Sequence, residues 1–270
     1  MTAHFAVFGH PVAHSLSPRI HELFAAQCNI ALAYSTTDTS TRGFKDSFET
    51  FIALGGVGAN VTAPDKAAAF EFCTRHTHRA LRAKSVNTLF QRNGEWQGDT
   101  TDGSGLLRDL RERLAVDLHD ARVLLIGAGG AANAVAPALL DAGVSQLMVA
   151  NRTRARAYDL IDALADENRT RACTIEELPS QGMFDLVVFA AAPADSAQCD
   201  AWPISMVSEG TTFIDLNYGA RALPTLTWAA KAGVTRLSDG LGMLVEQAAD
   251  SFEIWHGVRP ETADVYAALR

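Results

Sequence analysis

The sequence predicts a two-domain α/β protein, with an N-terminal, mostly parallel α/β domain followed by a doubly wound domain. Its 270 residues are enough for two medium-sized domains. Short apolar runs alternate with helical patterns over the first hundred residues, which is typical of a β-α-β order. A wholly apolar run at residues 123–126 then precedes a glycine-rich turn and a helix, which indicates a second parallel sheet.

The first domain is predicted from the spacing of its apolar residues and from its turn residues. Ser17 followed by Pro18 predicts an N-cap and the first position of a helix. Residues 86–90, followed by Asn93 and Gly94, predict a strand that enters a hairpin. The remaining strands are predicted at 5–8, 31–37 and 57–61, and the helices at 18–24, 44–52 and 67–72. This order of elements predicts a mostly parallel sheet.

The second domain begins with a helix predicted at 105–114. Strands are predicted at 123–126, 147–150, 186–190 and 212–216, with helices between them, which makes a doubly wound series. Two helices follow, at 241–256 and 261–269. A C-terminal helix often packs back on the first domain. We therefore expect a discontinuous first domain of residues 1–104 and 241–270, and a second domain of residues 105–240.

The composition argues against several classes of partner. The formal net charge of −8 does not favour nucleic acid, because phosphate binding usually needs a basic face. The four cysteines show no C-x-x-C spacing, which indicates reduced thiols and no zinc site. We see no signal peptide, and the longest uncharged stretch contains glycines and a proline. We expect a cytoplasmic monomer or homodimer with no membrane partner and no metal.

A glycine-rich segment after the apolar strand predicts a dinucleotide site. Gly127, Gly129 and Ala132 form a G-x-G-x-x-A pattern between a strand and a helix. The first glycine permits a tight turn, the second lets a pyrophosphate approach, and the small alanine lets the helix pack. Gly130 and Ala131 would present backbone N–H groups to the phosphates at the helix N-terminus. A purely structural glycine turn is the alternative interpretation.

The next strand favours NADP over NAD. An NAD site usually has an acidic residue about 20 positions on, but this strand ends in Asn151, Arg152, Thr153, Arg154, Ala155 and Arg156. Guanidinium groups pair with a phosphate in a bidentate manner, so the arginines suit a 2′-phosphate. A solvated helix start is the alternative. It is weakened because cations at a helix N-terminus are disfavoured unless an anion is bound there.

Four polar segments fall in predicted loops of the first domain, at residues 14–18 (HSLSP), 60–66 (NVTAPDK), 86–88 (VNT) and 99–103 (DTTDG). Each has a structural explanation on its own, since serine caps helices and asparagine braces turns. Together they occur in the same order as in the shikimate dehydrogenase family. The chain resembles that family over nearly its full length. Further matching segments are GAGGA at 127–131, NRT at 151–153, Asp215 with Tyr218, DGLGMLVEQ at 239–247 and WHGV at 255–258.

The resemblance implies two α/β domains around a cleft, with the substrate on the first domain and NADP on the second. It implies reversible reduction of 3-dehydroshikimate to shikimate, in aromatic amino acid biosynthesis. Lys66 and Asp102 resemble the catalytic pair, and a lysine ammonium beside a carboxylate suits proton transfer to a ring oxygen. The implied substrate ligands are Ser15 and Ser17 for the carboxylate, and Asn60, Thr62, Asn87, Tyr218 and Gln247. The implied cofactor ligands are Gly127, Gly129, Gly130, Ala131, Asn151, Arg152, Thr153, Arg156 and Gly240.

The chain also departs from the family pattern. Residues 189–195 (FAAAPAD) lack the usual polar N-A-T segment that faces the cofactor, and Asn133 stands where arginine is common. Asp65 and Thr100 also replace the usual residues beside the catalytic pair. Three other functions therefore stay open: a quinate/shikimate dehydrogenase, an oxidoreductase of another cyclohexene acid, and a non-catalytic shikimate-binding paralogue. Retention of both Lys66 and Asp102 argues against the last.

Overall fold

The computed structural model describes residues 2–270 and divides them into two compact units. The first unit comprises the chain up to Gly105 together with Leu244–Arg270, and the second comprises Leu106–Met243. Each unit contains one six-stranded sheet. Among the described residues, no helix is long and apolar enough to cross a membrane.

The first unit is built on a mixed sheet. Its strands are β1 (Ala3–Gly9), β2 (Leu32–Asp38), β3 (Gly56–Val61), β4 (Arg75–His76), β5 (Thr88–Arg92) and β6 (Glu95–Asp99). Its helices are α1 (Ser17–Cys28), α2 (Gly43–Ala53), α3 (Lys66–Phe72), α4 (His78–Ala83), the start of α5 (Asp102–Arg108), most of α10 (Leu241–His256), and α11 (Ala263–Leu269). The strand order is β2-β1-β3-β5-β6-β4. β1 pairs in parallel with β2 and β3, whereas β5 is antiparallel to both of its neighbours.

Aromatic side chains fill the core on one side of this sheet. Phe8 of β1 packs edge-on against Phe44, Phe48 and Phe51 of α2, at centroid distances of 5.9, 5.5 and 5.4 Å. All four phenylalanines are buried. The three helix residues recur at spacings of four and three, which places them on one face of α2. The predicted strands, helices and hairpin of this half are confirmed within a few residues.

One prediction at a helix start is wrong, and another is displaced by three residues. Ser17 is the first residue of α1 and not its N-cap. The N-cap is Leu16, whose carbonyl accepts the backbone N–H of Ile20. The hydroxyl of Ser15 accepts the backbone N–H of Ser17. The helix predicted at 105–114 instead begins at Asp102 and ends in a π-helical turn over Asp109–Arg113. β4 and α4 were not predicted, since both are too short for a periodic pattern.

The second unit is a doubly wound parallel sheet, as predicted. Its strands are β7 (Arg122–Ile126), β8 (Gln146–Ala150), β9 (Thr170–Cys173), β10 (Leu186–Phe189), β11 (Thr212–Asp215) and β12 (Arg236–Asp239). Its helices are α6 (Gly130–Asp141), α7 (Arg154–Leu164), α8 (Ser196–Asp200) and α9 (Leu223–Lys231). The order is β12-β11-β10-β7-β8-β9, and all pairs are parallel. β9 and β12 were not predicted, because their four-residue segments mix polar and apolar side chains.

The apolar character of β7 follows from helices packing on both faces of its sheet. Val123 and Leu125 belong to one buried cluster, and Leu124 and Ile126 belong to another. All four side chains are buried. A strand in the middle of a parallel sheet must be apolar at every position, since alternate side chains face opposite layers.

Candidate functional site

Lys66 and Asp102 meet in the first unit. Lys66 is the first residue of α3, and Asp102 is the first residue of α5. The Nζ atom of Lys66 lies 2.6 Å from Oδ2 of Asp102, and the two side chains are only 13% and 7% exposed. An unpaired buried charge is costly, and this contact leaves neither side chain unpaired. The structure thus brings together the two residues predicted to be catalytic.

Amide side chains hold the other oxygen of Asp102. Nδ2 of Asn87 donates to Oδ1 of Asp102 at 3.1 Å and to Oε1 of Gln247 at 3.0 Å. Thr101 donates its backbone N–H to Oδ1 of Asn87 at 2.9 Å. Gly105 allows this approach, because a Cβ there would lie 2.7 Å from Cβ of Gln247. Asn87, Asp102 and Gln247 therefore form one hydrogen-bonded cluster.

Asn60 lies next to this cluster, and both atoms of its amide form hydrogen bonds within the protein. Its Nδ2 atom donates to the carbonyl of Asn87 and to Oγ of Ser251, at 3.1 and 3.0 Å, and lies 3.3 Å from Oγ1 of Thr88. Its Oδ1 atom accepts the hydroxyl of Tyr34 at 2.7 Å. Asn60 consequently braces β3 against α10, and its predicted contact with a substrate hydroxyl stays a prediction.

Ser15 and Ser17 form a pair at the start of α1. The hydroxyl of Ser15 donates to that of Ser17 at 3.2 Å, with Ser17 buried and Ser15 half-buried. Burial raises the pKa of the nearby Tyr34 well above its usual value, although hydrogen bonding with Ser17 opposes this, so Tyr34 remains a neutral phenol. Thr62 follows β3, and Gly9 gives it room, since a Cβ at Gly9 would collide with Cγ2 of Thr62.

The glycine turn in the second unit is closely packed at Gly127 and open at Gly129. Gly127 has φ +119°, and a Cβ there would lie 2.9 Å from the carbonyl of Ala190. At Gly129, by contrast, a Cβ would meet no described atom within 4 Å. Ala132 is fully buried in α6, which begins at Gly130. The first N–H groups of a helix lack intrahelical partners, so Gly130 and Ala131 can donate to a phosphate.

The arginines after β8 are not equivalent. Arg154 forms an ion pair with Glu177 at 2.9 Å. Arg152 and Arg156 are exposed, and neither guanidinium forms a hydrogen bond or an ion pair with any residue in the range 2–270. Nδ2 of Asn151 donates to the carbonyl of Thr153 at 2.9 Å, which shapes the turn into α7. Two free guanidinium groups beside an open glycine turn fit a nucleotide with an extra phosphate.

The remaining predicted residues lie around β11 and β12 in the second unit. Gly240 permits close packing, because a Cβ there would collide with the carbonyl oxygen of Leu216. Tyr218 lies shortly after β11 and is half-buried. The unusual loop after β10 is held by Asn217, whose Nδ2 donates to the carbonyl of Ala191 at 3.2 Å. The roles of Gly240 and Tyr218 in ligand binding stay predictions.

The sequence did not predict several residues that belong to or adjoin the hydrogen-bonded cluster around Asp102. Thr101 and Ser251 lie within 3.3 Å of each other, and Tyr34 contacts Asn60. The only available signal was that Ser251 follows Gln247 by four positions, which places both on one face of α10. Within residues 2–270, no group of three or more His, Cys, Asp or Glu side chains could hold a metal ion.

Comparison with known families covers most of the chain. Residues 7–89 match the shikimate dehydrogenase substrate binding domain, and residues 109–217 match the shikimate / quinate 5-dehydrogenase family. Residues 240–270 match the shikimate 5′-dehydrogenase C-terminal domain. Each matched range contains part of the site described above. The first contains Asn60 and Lys66, the second contains the glycine turn, and the third contains Gln247.

Individual relatives and solved structures are similar to this chain over nearly its full length. The chain is 52% identical over 271 residues to shikimate dehydrogenase (NADP(+)) of Stenotrophomonas maltophilia strain K279a, covering 100% of this chain and 96% of the relative. An Ael1 enzyme from Pseudomonas putida is 39% identical with a TM-score of 0.88, covering 99% and 98% of the two chains. Shikimate 5-dehydrogenase from Thermus thermophilus, solved with NADP(H) and shikimate, is 31% identical with a TM-score of 0.86 and the same coverage. The chain therefore belongs to the shikimate dehydrogenase family.

Proposed function

We propose that this protein is an NADP-dependent shikimate dehydrogenase that interconverts 3-dehydroshikimate and shikimate. The observation that carries the proposal is the nearly buried Lys66–Asp102 pair, with its 2.6 Å contact, in a chain of this family. An acid-base residue must be close to a partner that orients it, and this pair meets that requirement. The names of the full-length relatives support both the substrate and the cofactor.

Lys66 acts as the acid in reduction and as the base in oxidation. Reduction of a ring ketone places negative charge on its oxygen, which the Lys66 ammonium stabilises before it donates a proton. In the reverse direction the neutral amine accepts the hydroxyl proton. Asp102 orients Lys66 and accepts a hydrogen bond from a neighbouring substrate hydroxyl. The nicotinamide, when bound, supplies the hydride in reduction and accepts it in oxidation.

Substrate recognition is divided between two groups of residues. The Ser15 and Ser17 hydroxyls bind the ring carboxylate. They lie 3.2 Å apart, so both can donate to one anion once the Ser15 hydroxyl rotates away from Ser17. Ring hydroxyls are bound in the first unit by Asn60, Thr62, Asn87 and Gln247. Tyr218, in the second unit, is the remaining proposed substrate ligand. The first unit is accordingly the substrate domain.

The second unit binds the cofactor. The turn from Gly127 to Ala131 holds the pyrophosphate, since it combines an open glycine with a helix N-terminus. Arg152 and Arg156 bind the 2′-phosphate, and Asn151 and Thr153 shape the turn that carries them. Gly240 is the remaining proposed cofactor ligand. We place the enzyme in the cytoplasm as a monomer or homodimer, in keeping with its four free thiols.

A spectrophotometric assay tests the proposal. Reduced-cofactor absorbance is followed with shikimate or quinate as the substrate, and with NADP or NAD as the cofactor. We expect the highest kcat/KM with shikimate and NADP. A higher kcat/KM with quinate would replace the proposal with a quinate dehydrogenase, which the shikimate / quinate family match also covers. Shikimate binding without turnover of either cofactor would indicate a non-catalytic binding protein.

A further inference from the structure

One arginine holds the chain on both sides of Asp102. The guanidinium of Arg79, in α4, donates from Nε and Nη2 to the two oxygens of Asp99, at 2.7 and 2.8 Å. Its third nitrogen, Nη1, donates to Oγ of Ser104 at 3.0 Å. Asp99 is the last residue of β6, and Ser104 is the third residue of α5. The segment that carries Asp102 is therefore fastened at both ends to a single side chain.

The first attachment point is a buried carboxylate. Asp99 is 5% exposed at its side chain and also accepts the Thr77 hydroxyl at 2.5 Å and the backbone N–H of Thr100 at 2.7 Å. A buried carboxylate is stable only when donors surround it, and Arg79 supplies the charge. The bond from Thr100 fixes the direction in which the chain leaves β6, two residues before Asp102.

The second attachment point continues into α10. The Ser104 hydroxyl donates to Oδ2 of Asp250, whose other oxygen accepts from Arg259. Arg259 also donates to Oε2 of Glu246 at 2.6 Å. Glu246 precedes Gln247, which accepts from Asn87 in the cluster around Asp102. These linked hydrogen bonds and ion pairs therefore set the position of the first turn of α5 relative to α10.

Only arginine suits this position. Its planar fork presents donors in fixed directions, so it can bind a carboxylate in a bidentate manner and still reach a third acceptor. A lysine keeps the charge but offers a single nitrogen at the end of a flexible stem. Arg79→Lys therefore keeps the positive charge at this position and removes the bidentate geometry.

We propose that Arg79 is a positioning residue for the reaction, which holds Asp102 in place against Lys66 through Asp99 and Ser104. This inference rests on the proposed role of Asp102 in catalysis. Arg79 itself does not touch the substrate in this scheme. Its effect on turnover passes through the carboxylate of Asp102, and that dependence is measurable.

The test is a double-mutant cycle in the full-length protein. Arg79→Lys is made alone and together with Asp102→Asn, and kcat and shikimate KM are measured for each. We expect Arg79→Lys to lower kcat by roughly 10- to 100-fold, the range for a catalytic group displaced by about an ångström. Shikimate KM should change little, because the serine pair is untouched. In the Asp102→Asn background the same replacement should have no further effect on kcat.

Two further variants keep the test decisive. Ser104→Ala removes one attachment point with little risk to folding, and it should lower kcat by roughly fivefold through the same dependence on Asp102. Arg75→Lys, which affects an exposed arginine paired with Glu95, is the matched control and should keep normal kcat.

Three results would overturn the inference. The first is normal kcat in both Arg79→Lys and Ser104→Ala. The second is that Arg79→Lys lowers kcat by the same factor in the Asp102→Asn background as in the wild type. In either case the proposed function stands if Asp102→Asn alone is impaired. The third is normal kcat in Asp102→Asn, which removes the catalytic assignment of Asp102 and the inference with it.

Discussion

Lys66 and Asp102 lie 2.6 Å apart although 36 residues separate them in the chain. The two oxygens of the Asp102 carboxylate have different partners, since Oδ2 accepts from Lys66 and Oδ1 accepts from Asn87. The carboxylate is therefore fixed in rotation as well as in position. A lysine held by such a carboxylate has little freedom to point away from a bound ring, which favours proton transfer.

Replacing Lys66 with alanine should lower kcat by about 10²–10⁴-fold, the usual contribution of a positioned acid-base group. Shikimate KM should rise less, because Ser15 and Ser17 still bind the carboxylate. Steady-state kinetics in both directions measures the effect. Lys45→Ala, at an exposed lysine near Glu49, is the control and should keep normal kcat.

The same prediction extends to the partner of Lys66. Asp102→Ala should impair both kcat and KM, since the carboxylate orients Lys66 and also binds a substrate hydroxyl. The double variant should lose less than the sum of the two single losses, because the two groups act as one unit. Normal kcat in Lys66→Ala would remove the catalytic assignment.

Arg152 and Arg156 should determine the preference for NADP. Replacing both with alanine should raise the NADP KM and leave NAD use almost unchanged, at about 1.5–3 kcal/mol per charged contact. Arg154→Ala is the comparison variant and should have a smaller effect, because Glu177 already engages that guanidinium. Kinetics with each cofactor provides the measurement. Equal weakening with NADP and NAD would show that these arginines do not bind the 2′-phosphate.

Ser15→Ala and Ser17→Ala should mainly raise shikimate KM. The carboxylate is remote from the reacting carbon, so its binding is similar in the ground state and the transition state. Each lost bond to an anion should weaken binding by about 10- to 100-fold. Ser40→Ala, at an exposed serine after β2, serves as the control. A large loss of kcat at constant KM would contradict the assignment.

Gly127 and Gly129 should respond differently to alanine. Gly127→Ala should destabilise the fold by about 1–3 kcal/mol, because φ is +119° and the new Cβ would collide with Ala190. The Cβ of Gly129→Ala would meet no described atom within 4 Å, so this variant should keep normal stability but bind NADP more weakly. Thermal unfolding and calorimetric titration with NADP separate the two effects. Unchanged NADP affinity in Gly129→Ala would argue against a pyrophosphate at this turn.

The cysteines should differ in reactivity. Burial raises the pKa of Cys73 to about 12 and that of Cys173 and Cys199 to about 11, so few thiolates form at about pH 8. Cys28 is half-exposed. A thiol-reactive disulfide reagent should therefore modify Cys28 rapidly in the native protein and the other three only after unfolding. Rapid modification of all four thiols, or slow modification of Cys28→Ser and wild type alike, would contradict this prediction.

The raised thiol pKa values also imply a pH dependence of stability. In the unfolded chain a thiol ionises near its ordinary pKa of 9, whereas the buried thiols stay protonated until about pH 11 or 12. The unfolded state therefore loses protons first, and the free energy of unfolding should fall as pH rises above about 9. Denaturant unfolding at a series of pH values checks the sign.

The sequence by itself determined the elements whose pattern is local. The apolar run of β7, the glycine turn and α6 follow from residues adjacent in the chain, and so do the aromatic face of α2 and the Asn93-Gly94 hairpin. The positive φ of Gly127 and the spacing of residues in a helix depend on neighbours in the chain. Local patterns of this kind can be interpreted without a structure.

The tertiary structure decided which polar groups meet. Asn60 contacts Ser251 across 191 positions, and Arg79 joins Asp99 to Ser104 from a helix that no periodic pattern reveals. The start of α1 at Ser17 depended on hydrogen bonds to Leu16 and Ser15. Hydrogen bonds and ion pairs form between whichever donors and acceptors the folded chain brings within about 3 Å. Residue type sets which groups can donate or accept, and the packing of whole elements decides which of them meet.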